Sequence, residues 1–393
     1  MLILFPMALF AQDDVWDDED WGDEEDGTVW SGFLEAGLGT RFDEDPLVDK
    51  RNTLEELRWR FESEWQPGKV TVGVKADIDY DGVEDSWNID IRDLTASFSL
   101  GDNIDVKLGR QVQTWGTGDL VFLNDLFPKD FVSFFAGRDD EYLKAPGNAA
   151  RFTWYSGAIN ADFVWTPVFE PDIYLTGERF SFYSPQAGEN IAPSPPFHAP
   201  EPEESFSNGE FALRLYRTVE STEYAVYAYR GFFKQPPFAA MNAYGASLRR
   251  PAGPGLFNVE TSYYASRDDR DGNDPSVPND QLRFLLGYEW EARPNFSVGL
   301  QYYFDQNESE EARQLITNRL TYRAGRDKHT FSLFTFYSPS DRDFYLRPQF
   351  TYRHSDEWSL TVGANLFGGS DSHTFLNQLQ DASNAYVRVR YHY

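Results

Sequence analysis

The sequence predicts an all-β fold: a transmembrane antiparallel up-and-down β-barrel of about 18 strands, with about 16 as the alternative count. Polar and apolar residues alternate along segments that cover almost the whole chain, and short turns alternate with longer connections between the segments. Phe, Tyr and Trp make up 17% of the 393 residues, although the mean hydropathy is negative. This combination is typical of strands that present one side to lipid and the other to water.

The C-terminal segment 384–393 shows the alternation most clearly. Positions 385, 387, 389, 391 and 393 hold Ala, Val, Val, Tyr and Tyr, and the positions between them hold Tyr386, Arg388, Arg390 and His392. Successive side chains of a strand point to opposite faces, so one face is apolar and the other polar. Similar segments occur at 57–65, 70–80, 282–290, 296–305 and 358–366. Strands of about 10–13 residues are longer than the ~5–6 usual in soluble sheets and suffice to cross a bilayer.

The connections between these segments are of two kinds. Short turns are predicted at 66–69, 101–103, 156–157, 251–255, 292–295, 325–328 and 354–357, and longer connections at 114–148, 168–208, 267–279 and 368–383. A membrane-spanning barrel shows the same difference between its two rims, and an even strand number places both termini at the rim with the turns.

The N-terminal part of the chain is predicted to lie outside the barrel. Residues 1–11 form an apolar stretch ending Ala-Leu-Phe-Ala, which indicates part of a secretory signal peptide without its basic start. Residues 12–27 form an acidic tail, with ten Asp or Glu between positions 13 and 26. Such a block of like charge is usually solvated, and the alternative is a periplasmic tail that binds a partner or enters the lumen. The barrel is predicted over residues 28–393.

The alternation also predicts a charged lumen. Closure of the barrel pairs the last strand with the first and brings most of the inward-facing arginines together on one wall: Arg41, Arg58, Arg60, Arg283, Arg319, Arg323, Arg347, Arg353, Arg388 and Arg390. Inward-facing acids are expected on the opposite wall: Asp77, Asp79, Asp105, Asp162 and Glu260. Opposite charges across a narrow tube would orient and filter small charged solutes. The alternative is that these charges pair across neighbouring strands and fill the lumen.

The connection at 114–148 is the predicted constriction. It follows the fifth predicted strand, so it is the third loop at the rim with the long connections. Its apolar residues are too many for a solvated loop: Leu120, Phe122, Leu126, Phe131, Phe134 and Phe135. Because a loop this apolar must bury itself, we expect it to fold into the lumen.

Two features resemble those of bacterial outer-membrane β-barrels of porin-like families. One is the aromatic terminal strand ending at Tyr393, and the other is the stretch Gly109-Arg-Gln-Val-Gln-Thr-Trp-Gly116, similar to a Gly-Arg-Gln…Trp-Gly motif of such families. The resemblance implies a location in the cell outer membrane, contact with its lipid and lipopolysaccharide, and recognition of the terminal strand by the barrel insertion machinery. It also implies that the third loop sets acidic groups opposite the arginine wall: Asp119, Asp125, Asp130, Asp139, Asp140 and Glu141.

The predicted function is a porin, a channel for the passive diffusion of small solutes, charged ones among them. The alternative is a structural, adhesion or export barrel that works with a periplasmic partner through its acidic tail. A homotrimer is a candidate assembly. The chain lacks Gly-x-Ser-x-Gly and His-Glu-x-x-His motifs, so no enzyme is indicated. The net charge of −29 disfavours nucleic acid as a partner, and the lack of cysteine excludes thiol catalysis and disulfides.

No cofactor is expected, but one stretch resembles part of a metal site. Asp77-Ile-Asp-Tyr-Asp-Gly82 matches the opening of a calcium-binding loop, which makes Asp77, Asp79 and Asp81 weak calcium candidates. The twelfth position is Asn88 rather than Glu, and the flanking helices of such a loop are missing.

Overall fold

The computed structural model describes residues 30–307 and 312–393, so the predicted signal peptide and acidic tail lie outside the described residues. Within these ranges, eighteen antiparallel strands form one sheet that closes on itself, because the last strand pairs with the first. The predicted barrel of 18 strands is confirmed. Two further short strands form a hairpin within one of the loops.

The barrel strands are β1 (Trp30–Arg41), β2 (Asn52–Trp65), β3 (Thr71–Asp81), β4 (Ser86–Ser99), β5 (Ile104–Val112), β6 (Pro146–Tyr155), β7 (Asn160–Thr166), β10 (Glu210–Val219), β11 (Thr222–Phe232), β12 (Ala240–Ala252), β13 (Gly255–Ser266), β14 (Gln281–Arg293), β15 (Phe296–Asn307), β16 (Arg313–Ala324), β17 (His329–Ser338), β18 (Asp343–Arg353), β19 (Trp358–Gly369) and β20 (Asn384–His392). The loop hairpin consists of β8 (Phe182–Ser184) and β9 (Glu189–Ile191), helix α1 spans Phe131–Ala136, and 3-10 turns cover Asp140–Leu143, Phe206–Asn208 and Asn377–Ala382. None of the helices in the described ranges has the length and apolarity to span a membrane.

The side chains alternate between the two faces of the barrel as the sequence predicts. In β2, Leu57 is 56% exposed and Arg58 only 3%. In β20, Val389 is 41% exposed and Arg388 again 3%. Apolar side chains therefore cover the outer face, as lipid contact requires. The charged side chains of these strands point inward, where other parts of the protein cover them.

The two rims of the barrel differ as predicted. At one rim, which we call the turn rim, the connections are short: β10 and β11 are joined by Glu220 and Ser221 alone, with φ of 47° and 65°. Two successive positive φ values are typical of the tight hairpin turn whose twist matches that of the strands. At the other rim, the loop rim, the longest connections are residues 113–145, which we call the third loop, and 167–209, the fourth loop.

The third loop contains helix α1, and its apolar side chains contact the inner face of the barrel. Phe135 is 3% exposed and packs on Tyr345 of β18 and Phe367 of β19, with ring centroids 5.9 and 5.5 Å apart. Asp130 begins the helix by accepting a hydrogen bond from the Ser133 N–H, the usual role of an N-cap residue. The hydrophobic core thus lies between this loop and the barrel wall.

The fourth loop reaches strands far from its own ends at β7 and β10. Arg179 donates to the Thr53 carbonyl of β2 at 2.8 Å, and Ser181 donates to Asp45 in the first loop, also at 2.8 Å. Phe180 is 1% exposed and belongs to the same core as the third-loop phenylalanines. No feature of the sequence predicts this path across the loop rim.

Candidate functional site

The first part of the third loop is held by polar side chains of β15 and β16. Both carboxylate oxygens of Asp119 accept hydrogen bonds from Arg319, at 2.5 Å from Nε and 2.8 Å from Nη2. Gln301 accepts from the Asp119 N–H at 2.7 Å and donates to the Asp119 carbonyl at 2.8 Å. Two-pronged arginine–carboxylate contacts are among the stronger polar interactions in proteins, so this contact fixes the position of the loop.

A buried carboxylate of β13 holds the next part of the loop. Glu260, 1% exposed, accepts hydrogen bonds from the Thr117 and Asn124 backbone N–H groups at 2.6 and 2.9 Å, and also from both side chains. Gly116 lies beside it with φ of 82°, and a Cβ there would come within 2.9 Å of Glu260 Oε1. Glu260 therefore binds the loop instead of forming an acidic wall. The last glycine of the Gly-Arg-Gln…Trp-Gly stretch makes this contact possible.

Residues 138–142, which we call the contact segment, reach three separate parts of the inner wall. The Arg138 guanidinium lies 2.7 Å from Glu56 and 2.9 Å from Asp81, and Glu141 accepts from Arg60 at 2.6 Å. Asp139 lies 3.2 Å from Arg388 and 3.4 Å from Arg390 of β20, and Asp140 pairs with Arg347 of β18. Burial would raise the pKa of Asp139, but Arg388 and Arg390 hold it below its usual range.

Tyr142 lies among three arginines. Its ring centroid is 4.5 Å from the Arg58 guanidinium carbon, 5.2 Å from that of Arg60 and 4.7 Å from that of Arg92. Its hydroxyl donates to Asp77 at 2.7 Å. Cation–π contacts of this kind strengthen when water is excluded, so Tyr142 helps to fix the arginines.

The predicted separation into an arginine wall and an opposed acidic wall is wrong for β2 and β3. Asp77 and Asp79 lie next to the arginines: Arg58 is 2.8 Å from Asp77 and 3.2 Å from Asp79, and Arg60 is 2.7 Å from Asp77. The reason is register, because Arg58 stands opposite Asp79 and Arg60 opposite Asp77 on adjacent strands. These are the cross-strand pairs that the sequence left open as the alternative.

The other predicted residues fall into three groups. Arg283 of β14 lies 3.4 Å from Asp305 of β15, so it too pairs with a neighbouring strand. Arg353 is exposed near the turn rim and makes no ion pair within the described ranges. Asp125 and Asp130 differ from the prediction, because they serve the fold of the loop itself: Asp125 pairs with Lys129 at 2.8 Å, and Asp130 caps α1.

The calcium candidates are occupied by protein donors. Asp77 accepts from two arginines and a tyrosine, Asp79 accepts from Asn88 at 3.1 Å, and Asp81 pairs with Arg138 and Arg179. In the parts of the chain that the structure describes, no group of three or more His, Cys, Asp or Glu is arranged to hold a metal ion. The alternating aspartates of β3 therefore bind arginines.

Sequence reasoning missed Arg92, Arg138, Tyr142 and Arg179. Three of these residues lie in loops, where no alternation assigns a face. Arg92 lies in β4 next to a register shift opposite Lys75 and Ala76, so simple parity fails there. The only available sequence signal was the mixed charge of the stretch 138–144.

Cavities lie on both sides of the contact segment. Toward the turn rim there is one of about 740 Å³, whose lining includes Glu141, Lys144 and Arg92, and another of about 610 Å³, whose lining includes Asp139 and Arg353. A third, of about 370 Å³, is lined by the apolar residues of the third loop. The third loop borders all three cavities.

Solved structures of similar barrels cover nearly the whole chain. OccAB2 and OccAB3 of Acinetobacter baumannii give TM-scores of 0.58 and 0.57 at 9% and 11% identity, over 94% and 93% of this chain and 98% and 99% of theirs. OccD3 of Pseudomonas aeruginosa gives a TM-score of 0.56 at 9% identity, over 94% of this chain and 93% of its own. At such identities the similarity shows the fold, a porin-type barrel. No protein-family model and no curated protein sequence match the chain.

Proposed function

We propose that the protein is a passive channel of the outer membrane for small solutes, charged ones among them, and that the third loop forms its constriction. One observation carries this proposal: the contact segment is bound to β2, β3, β18 and β20, with cavities adjoining it on the turn-rim side. The similarity in fold to Occ proteins, which are outer-membrane channels, supports it.

The outer surface supports the location in the outer membrane. Large apolar side chains are exposed around the strands, and Trp30, Trp65, Trp358 and Tyr393 stand exposed at strand ends near the turn rim. Aromatic side chains of this kind favour the interface between lipid and water. Contact with outer-membrane lipid and lipopolysaccharide, recognition by the barrel insertion machinery and a homotrimeric assembly belong to the same proposal.

The charges of the constriction suggest mild ionic selectivity. Arg60, Arg347, Arg388 and Arg390 each contact an acid of the contact segment, so their fields largely cancel at short range. Arg353 lies beside the cavity that Asp139 also lines and makes no ion pair with the residues that the structure describes. We therefore infer that selectivity follows from the balance of paired charges, with no strong field of one sign.

Single-channel recording in planar lipid bilayers tests this proposal. We expect stepwise conductance from the purified protein, and a current that changes when the contact segment is altered. A protein that inserts and remains silent would instead favour a structural, adhesion or export barrel. The acidic tail on which that alternative rests lies outside the described residues, so its role stays a prediction.

A further inference from the structure

The cavity of about 370 Å³ at the loop-rim side is built differently from the charged constriction. No residue of the contact segment lines it, and its walls are rich in aromatic rings: Phe122, Phe127, Phe131, Tyr264, Tyr303 and Phe375. Its volume falls within the range of about 300–1,000 Å³ that small-molecule sites occupy. Apolar walls with a few polar groups are the general character of such sites.

Every cation among the described residues of the cavity wall is paired with an acid. The Lys129 ammonium lies 2.8 Å from Asp125, and the Lys234 ammonium lies 2.5 Å from Glu210. In the same way, Arg283 lies 3.4 Å from the Asp305 carboxylate, and Arg313 lies 3.1 Å from the Asp341 carboxylate. A charged solute would have to compete with one of these pairs, which costs free energy where the groups are largely out of water.

All four of these cations also lie against aromatic rings, Lys234 at 4.9 Å from the ring centroid of Phe169, which does not line the cavity. The distance from the charged group to the ring centroid is 4.7 Å for Lys129 and Phe122, 4.2 Å for Arg283 and Tyr264, and 4.9 Å for Arg313 and Phe375. Each cation is thus held on two sides. Among the described residues of the wall, the remaining acid is Asp172, which accepts hydrogen bonds from the Lys129 N–H and from Gln235, both at 2.7 Å. Because Asp172 is an acid, it does not attract an anion to the cavity.

We propose that this cavity binds a small uncharged solute with an apolar ring face and hydroxyl groups at its edge, the chemistry of a sugar or glycoside. The aromatic rings offer flat surfaces to the apolar face. The amides of Gln235 and Gln281, together with the paired carboxylates and cations, offer donors and acceptors to hydroxyl groups that both donate and accept. The inference rests on the proposed channel function, in which the cavity is a stopping place on the solute's route.

Calorimetric titration of the protein in lipid nanodiscs tests the ligand class with two matched probes, phenyl β-glucoside and its anionic counterpart phenyl β-glucuronide. We expect the glucoside to bind about fivefold or more tightly than the glucuronide. Phe375→Ala should weaken glucoside binding, because Phe375 lines the cavity and is 46% exposed. Phe206→Ala is the matched control: it removes a 75% exposed loop phenylalanine that does not line the cavity, and should leave binding unchanged.

The variant Asp341→Asn tests the role of charge pairing. Asp341 pairs with Arg313 but does not line the cavity, so its loss frees one cation there. The preference for the glucoside should then shrink or reverse in favour of the glucuronide. Equal wild-type affinity for both probes, no binding of either, or equal effects of Phe375→Ala and Phe206→Ala would overturn the inference. Because bilayer conductance is measured separately, a conducting protein without glucoside binding refutes this site and leaves the channel proposal standing.

Discussion

Arg138 of the third loop and Asp81 at the end of β3 form an ion pair, with 2.9 Å between Nη2 and Oδ2. The same carboxylate oxygen accepts a hydrogen bond from Arg179 of the fourth loop. The Asp81 side chain is only 2% exposed, so both contacts are shielded from water. One carboxylate on the barrel wall therefore contacts both long loops, in addition to the second acid of each arginine, Glu56 for Arg138 and Glu84 for Arg179.

Asp81→Asn should loosen both loops. Asp81→Asn removes one of the two carboxylates that each arginine contacts. Because Arg138 keeps Glu56 and Arg179 keeps Glu84, the cost should fall below the ~3–5 kcal/mol of a fully unpaired buried charge. We expect noisier single-channel currents and faster proteolysis of the third and fourth loops. Glu84→Gln is the control, because Glu84 contacts Arg179 but not Arg138 and is 30% exposed. If the two variants behave alike, Asp81 does not join the two loops.

Acid should release the contact segment only at low pH. The pKa of Asp139 lies below its usual range in the folded protein, whereas that of an unfolded aspartate is about 3.9. Its pairing with Arg388 and Arg390 is therefore fully present above that value and is lost as the pH falls through the lower, folded pKa. The contribution of Asp139 to current noise should therefore be the same at pH 7 and pH 5 and change only well below pH 5.

Asp130 provides the internal comparison for this pH experiment. Burial raises the pKa of Asp130, so its protonation comes at higher pH than that of Asp139 and weakens the cap of α1. A change in current at mildly acidic pH that disappears in Asp130→Asn would report the cap. The same change persisting in Asp130→Asn would contradict the lowered pKa of Asp139.

The balance of paired charges at the proposed constriction should control ion selectivity. Replacing Asp139 and Asp140 with Ser removes the partners of Arg388, Arg390 and Arg347, and should shift the reversal potential toward anions. Replacing Arg388 and Arg390 with Ser should shift it toward cations. Both shifts should be larger at 0.1 M than at 1 M salt, since the Debye length falls from about 10 to about 3 Å. Unchanged potentials in both double variants would remove these residues from the conducting path.

The two faces of a strand should respond differently to an added charge. Leu300→Arg places a cation on the outer face, where Leu300 is 43% exposed, and should destabilise the barrel by about 2–4 kcal/mol near the bilayer midplane. Gln349→Arg is the inward-facing comparison, because Gln349 lines a cavity of about 610 Å³, and should be nearly neutral. Gln301 would be a poor comparison, since it binds Asp119. Denaturant unfolding in lipid vesicles measures both, and equal costs would contradict the lipid-facing assignment.

Removing residues 384–393 should prevent formation of the barrel. The deletion leaves β1 and β19 without a partner along one edge, and an open edge is not tolerated in lipid. Tyr393 also donates a hydrogen bond to the Arg60 carbonyl at 2.8 Å and accepts one from Trp59 at 2.6 Å. Heat-modifiable gel mobility in the outer-membrane fraction measures the outcome. Tyr393→Phe, which keeps the aromatic end, should retain this mobility.

The sequence by itself determined the architecture of the barrel. The alternation of side chains is a local property with a period of two. The residues of each strand alone therefore predict which side chains point into the barrel and which point outward, without reference to distant residues. For the same reason the inward position of Arg58 and Arg388 and the outward position of Leu300 could be predicted. The apolar residues of the third loop likewise predicted that this loop is buried, but they did not predict which surface it packs against.

Only the tertiary structure determined which charged side chains contact each other. Asp119 and Arg319 are 200 positions apart, and their contact depends on the path of an irregular loop that no periodicity describes. The register between β2 and β3 places Asp77 beside Arg60. The inward direction of the two side chains, taken alone, had suggested opposite walls of the lumen. The crossing of the fourth loop and the binding of the third loop by Glu260 are also contacts between distant parts of the chain. Each follows from how three-dimensional packing satisfies buried charge, which a one-dimensional pattern does not encode.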